Sequence, residues 1–237
     1  MLEQGQIQWD DLENDTVKIV IFKQSAPPIA YPALYEVLSQ DEVQRMQAYY
    51  TDRLKQAYAA RRGMLRHILA AAMGATAKSI KFACTPYGKP YLVDDNQVAF
   101  NLSHSKDLAM IGICRSPIGL DIEAMVASHD LEAISKSHFA PEEQQTLATL
   151  TSAQYVQGFY HAWTRKEAFI KMDGRGLQIP LDSFAVTIQP NIPPRILRSD
   201  DGDTSNWQLV DLPVPDGFVG ALVVGTQVTR VQIISRV

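Results

Sequence analysis

The chain has 237 residues, 46% of them hydrophobic and 20% charged, the balance of a globular protein rather than a disordered or fibrous one. It carries a formal net charge of −4, and its two cysteines, Cys84 and Cys114, cannot make a disulfide framework. No run approaches the roughly 20 apolar residues of a membrane span, and Met1–Gly5 lacks the basic and apolar regions of a secretory signal, so a reduced, cytoplasmic setting is expected.

In chain order, Val17 to Phe22 reads as a strand, and Pro27, Pro28 and Pro32 punctuate a loop. Ser39-x-x-Glu42 is a capping box opening a helix, whose apolar residues recur from Val43 through Met46, Tyr50, Leu54, Tyr58, Leu65, Ile68 and Leu69. Gly63 suggests a break in that run and Gly74 its stop. Strands follow at Ile80–Cys84, Val98–Ser103 and Leu108–Cys114, with a turn at residues 86–90. After a joint at Pro117-Ile118-Gly119 come a strand at Leu120–Glu123 and a helical stretch from Leu131 to Leu150, interrupted at Pro141. A strong helix over Tyr155–Met172 is closed by Gly174 and Gly176. The remaining strands fall near Phe184–Ile188, Trp207–Leu212, Phe218–Val224 and Thr229–Ile234. Helices precede runs of strands in each half, which favours an α+β fold, with a boundary at residues 116 and 117.

Charge is unevenly placed. Residues 53–93 hold eight Lys or Arg and no Asp or Glu, whereas residues 116–237 hold nine basic and fourteen acidic side chains. The basic stretch suits either an anionic partner or a solvated helix face; an acidic chain overall makes nucleic acid the weakest partner.

Asp121 and Glu123 stand two apart on a strand, so their carboxylates share a face. They suit a hard cation such as Mg²⁺, or are simply the exposed face of an edge strand. Glu167 and Lys171, four apart on the second long helix, are either an ordinary helical ion pair or side chains bordering a cleft. Lys166 falls inside the apolar sector of Phe159, Ala162, Trp163, Phe169 and Ile170, where it must snorkel outward or meet a buried partner. Ser103-His104-Ser105, at the end of a strand and the start of a turn, can hold a phosphate or merely satisfy that turn. No Gly-x-Ser-x-Gly elbow surrounds either serine, and Walker, Gly-x-Gly-x-x-Gly and Cys-x-x-Cys patterns are absent.

The ordered series Gly-Lys-Pro (88–90), Phe-Asn-Leu-Ser-His-Ser (100–105), Gly-Leu-Asp-Ile-Glu (119–123) and Trp-Thr-Arg-Lys-Glu-Ala-Phe-Ile-Lys (163–171) resembles the 4′-phosphopantetheinyl transferase superfamily. The likeness is to its larger, monomeric, surfactin-synthetase-activating type, and it runs from about Arg45 to Phe184. It implies two similar α+β halves, each a helix on a small, mostly antiparallel sheet, related by a pseudo-twofold axis with coenzyme A between them. Residues 1–116 would contact coenzyme A and the carrier protein, and residues 117–237 would supply magnesium and catalytic residues. The implied reaction moves phosphopantetheine from coenzyme A to a serine of an apo acyl or peptidyl carrier protein, giving the holo carrier and 3′,5′-ADP. Such carriers serve fatty acid, polyketide or nonribosomal peptide synthesis. By the same resemblance, Asp121, Glu123 and Glu167 would bind Mg²⁺, or Mn²⁺ in its place. Glu167 doubles as a candidate base, and Lys171 contacts the phosphates and the leaving group. Arg45, Lys89, Ser103 and His104 would bind coenzyme A. Two other readings are a metal-dependent phosphohydrolase and a non-catalytic module that binds coenzyme A or a carrier protein.

Overall fold

A computed structural model describes residues 12–189 and 191–236; Met1–Gly5, read above for a leader, lie outside them. In chain order the first elements are β1 (Thr16–Lys23), α1 (Tyr31–Glu36), α2 (Gln40–Gln47), α3 (Asp52–Met73), β2 (Phe82–Cys84), β3 (Pro90–Leu92), β4 (Ala99–Ser105) and β5 (Leu108–Cys114). Next come β6 (Ile118–Ala124), α4 (Asp130–His138), α5 (Pro141–Ala148), α6 (Ser152–Asp173), β7 (Phe184–Val186) and β8 (Ile196–Ser199). The chain finishes with β9 (Trp207–Asp211), β10 (Phe218–Gly225) and β11 (Arg230–Arg236). The architecture is α+β, as expected, and no described helix is long and apolar enough to cross a membrane.

Two compact units divide the chain, and the division is not a single cut. The first takes residues up to Ala83, Tyr91–Arg115 and everything from Arg230; the second takes Cys84–Pro90 and Ser116–Thr229. The joint therefore falls beside residue 116, but β11 belongs to the first unit rather than to the half that precedes it.

The first unit lays the 22-residue α3 on a four-stranded sheet of order β11-β1-β5-β4. β1 pairs antiparallel with β5 and parallel with β11. Met64, Leu65, Ile68 and Leu69 of α3 bury against Val20, Phe22, Ile111 and Ile113 of the sheet. α3 runs unbroken through Gly63 because that residue's missing side chain makes room for α1: a Cβ there would come within 2.6 Å of the Leu34 carbonyl oxygen. α1 stands where the prolines predict a loop: Pro32 occupies its first turn, where a missing N–H costs no hydrogen bond.

The second unit repeats the plan with other partners. Its 22-residue α6 packs on a sheet of order β6-β10-β9, antiparallel throughout. Phe159, Ala162, Phe169 and Ile170 supply the helix side of the core, against Phe184, Val186, Ala221 and Val223. α3 and α6 both stop at a left-handed glycine, Gly74 (φ 64°) and Gly174 (φ 97°), the backbone shape a side chain resists. Pro141 separates α4 from α5 and sits in the first turn of the latter, so the interruption expected there is two helices rather than a kink.

Candidate active site

β6 carries Gly119, Asp121 and Glu123 at alternate positions, so all three project from one face. That face is covered by α6. A Cβ at Gly119 would overlap the Ala168 carbonyl oxygen and the Met172 amide nitrogen, so strand and helix backbones touch without an intervening side chain. This close approach brings the Lys171 ammonium to 2.6 Å from Asp121 Oδ1. Glu167, one turn earlier on α6, lies 3.8 Å from the same ammonium. The helical pair is thus the longer contact and the strand-to-helix contact the shorter. Lys171 belongs to a tertiary site, and Asp121 is 2% exposed rather than on an open edge.

The electrostatics tie in the third carboxylate. Burial pushes the Glu167 carboxyl above its usual range; Lys171 opposes this, and the nearby Asp121 and Glu123 add to it. Three acids share one field with the Lys171 ammonium. Their oxygens are of the kind a hard divalent cation takes, and the excess negative charge is what such a cation relieves. No three His, Cys, Asp or Glu side chains among the described residues already stand as a metal cage. The fit therefore rests on donor type and charge.

The remaining expected site residues fall as follows. Lys89 is in the second unit, where its Nζ donates to the carbonyls of Met172 (2.7 Å) and Ile118 (3.3 Å), joining the end of α6 to the start of β6. Arg45, Ser103 and His104 are in the first unit. Arg45 is exposed on the last turn of α2. Ser103 and Ser105 point inward and His104 outward, and all three are ladder residues of β4, paired with Met110, Leu108 and Ala109, not members of a turn. The turn begins only at Lys106 (φ 53°).

Lys166 has its buried partner. It is fully buried, and its Nζ lies 2.9 Å from Glu143 Oε2, an acid that the sequence reading did not single out. The signal was present but local: Glu143 is the third residue of a helix opened by Pro141, and its carboxylate accepts the Ala140 N–H. The basic stretch also changes meaning. Arg62 and Arg66 both hold Glu42, and Arg61 donates to Gln24, so three of its eight cations serve the first unit's interior.

Fold and site define an α+β protein with an acidic, lysine-bridged centre between a strand and a helix. Residues 117–223 match the family described as the 4′-phosphopantetheinyl transferase superfamily, and residues 28–115 match 4′-phosphopantetheinyl transferase, N-terminal. The 4′-phosphopantetheinyl transferase HetI of Nostoc sp. is 32% identical over 195 residues, covering 81% of this chain and 80% of its own. A 4′-phosphopantetheinyl transferase of Bacillus subtilis is 36% identical over 154 residues, 65% of this chain and 61% of its own. The transferase Sfp of Bacillus subtilis strain 168 is 39% identical over 109 residues, 46% and 48% respectively. The chain belongs to the 4′-phosphopantetheinyl transferase superfamily.

Proposed function

We propose that this chain transfers the 4′-phosphopantetheine group of coenzyme A to a serine of an apo carrier protein, as a cytoplasmic monomer. The observation that carries the reading is the convergence of Asp121 and Glu167 on Lys171, at 2.6 and 3.8 Å, with Glu123 in the same field. In the reaction the carrier serine oxygen bonds to the pantetheine-side phosphorus. The bond from that phosphorus to the bridging pyrophosphate oxygen breaks, and 3′,5′-ADP leaves with the electron pair.

Glu167 takes the serine proton on its carboxylate. A carboxyl raised by burial is a better acceptor than an ordinary one, and the nearby Lys171 ammonium opposes that rise. Lys171 supplies a positive charge that hydrogen-bonds the departing phosphate, and Asp121 fixes where that charge stands. Asp121, Glu123 and Glu167 would hold Mg²⁺, which when bound neutralises pyrophosphate charge. Arg45, Ser103 and His104 are proposed to take coenzyme A phosphates. Lys89, which stands where the end of α6 meets the start of β6, is proposed to join them.

The test mixes the protein with coenzyme A, Mg²⁺ and an apo acyl carrier protein and weighs the carrier by mass spectrometry. The expected result is a gain of one phosphopantetheine group, lost with EDTA and nearly lost in Glu167→Ala. Carriers left unmodified while coenzyme A still binds would overturn the reading in favour of a binding module. Release of inorganic phosphate from nucleotides without any carrier would point to a phosphohydrolase.

A further inference from the structure

The second unit holds another ion pair, buried more deeply than the Lys171 cluster, that the proposed chemistry does not use. Lys166 is 0% and Glu143 1% exposed. The Lys166 ammonium donates to the carbonyls of Leu181 and Phe184, each at 2.6 Å, and meets Glu143 Oε2 at 2.9 Å. Three partners match the three N–H bonds an ammonium has. Glu143 is equally committed: Oε1 accepts the Val186 N–H and Oε2 the Ala140 N–H, each at 2.8 Å. The pair thereby links α6 to the start of α5, to residues 181–184 and to β7. The Phe184 ring lies 4.2 Å from the ammonium.

Such a pair is a poor source of stability, since well-packed apolar residues usually serve as well. What it supplies is direction. Consecutive helical residues differ by about 100° and 1.5 Å, so anchoring Lys166 from three sides fixes both the rotation of α6 and its position along its axis. Glu167 is the next residue and Lys171 lies four beyond it, both turned away from the Lys166 anchor. Any slip of the anchor would carry them off Asp121.

We infer that Glu143 and Lys166 are positioning residues for the transfer: their pairing sets the rotation and axial place of α6, and so where Glu167 and Lys171 stand against β6. This rests on the transferase reading only for its kinetic consequence; the claim about α6 stands apart from it.

The experiment compares wild type with Glu143→Gln, Lys166→Met, the double Glu143→Gln/Lys166→Met and the charge-keeping Lys166→Arg. Each is measured for melting temperature, for kcat and KM toward coenzyme A well below that temperature, and for amide exchange across residues 165–172. The singles and Lys166→Arg should stay within about threefold of wild type in KM while kcat falls at least about tenfold, the scale of a small misplacement of reacting groups. Exchange across 165–172 should quicken. The double variant, free of an unpaired buried charge, should recover melting temperature but not kcat. Recovery of both together would make the pair merely structural and overturn the inference. If wild type transfers nothing, the transferase reading falls, and exchange alone decides the claim about α6: unchanged exchange in the variants overturns it. If the singles fail to fold, the double and Lys166→Arg carry the same comparison.

Discussion

At Gly119 the sequence and the site meet most directly. The residue has ordinary strand geometry, so no backbone strain demands glycine there; what demands it is the α6 backbone lying against its Cα. Any side chain must push β6 and α6 apart, an overpacking cost of about 1–3 kcal/mol. That displacement acts on the 2.6 Å contact between Lys171 and Asp121. Gly119→Ala is therefore expected to lower the melting temperature modestly and transfer by at least about tenfold. Turnover at the wild-type rate in this variant would show that the approach of β6 to α6 does not set the site. The acids and the lysine were legible in the sequence because their spacing, two on a strand and four on a helix, reports a shared face. The contact of Lys171 with Asp121, 50 residues away, was not, since spacing describes faces and not which faces meet. Lys166 shows the same limit: its misfit on the apolar sector called for a route outward or a buried partner, and only tertiary packing chooses the partner and names Glu143.

Between α2 and α3, Glu42 gathers charges that looked like surface. Its Oε1 takes Arg62 at 2.5 Å, and its Oε2 takes Arg66 at 2.6 Å and the Ser39 N–H at 3.0 Å. Arg66 also donates to the carbonyls of Ala77 and Ile80, and both guanidiniums lie over the Phe82 ring, at 4.5 and 5.2 Å. The capping box anticipated from Ser39 and Glu42 is thus also the anchor that fastens α2 to α3. Because helical spacing of cations looks the same on a solvated face and on an internal one, composition alone pointed outward. Burial raises the Glu42 carboxyl, but Arg62, the Ser39 N–H and Arg66 outweigh it, and the net shift is downward. A carboxyl depressed in the folded state contributes stability that is full above its unfolded value, near 4.3, and is lost as pH falls through the folded value. Glu42→Gln leaves Arg66 buried without its counter-charge, a loss of about 3–5 kcal/mol at neutral pH. Melting curves should show a drop on the order of 10 °C at pH 7 that shrinks progressively as pH falls below the unfolded value. A gap between the two proteins that is constant down to pH 3 would contradict the assignment.

Across the whole chain, the long helices and the longer strands were readable because α3 and α6 each carry a stop glycine and the longer strands an apolar run. What local pattern could not supply was pairing. β11 was expected as a last strand, and it is one, but it lies parallel to β1, from Thr16 beside Arg230 to Phe22 beside Arg236. A parallel partner more than 200 residues away leaves no trace in either segment, and a cut at residue 116 assigns it to the wrong unit. The same blindness hid the four-residue β8, whose pairing with β7 is irregular between Ala185 and Val186. The placement of β11 has a consequence for stability. Residues 16–22 of β1 are fully or nearly buried and are sandwiched between β5 and β11, so removing β11 turns an interior strand into an exposed edge with unpaired N–H and C=O groups. A chain ending at Thr229 is expected to melt earlier and to associate more readily. In hydrogen exchange, amides of Val17–Phe22 should lose protection before those of β6 and β10 do. If protection instead failed first in β10, β11 would be serving the second unit in solution, and the pairing with β1 would be wrong.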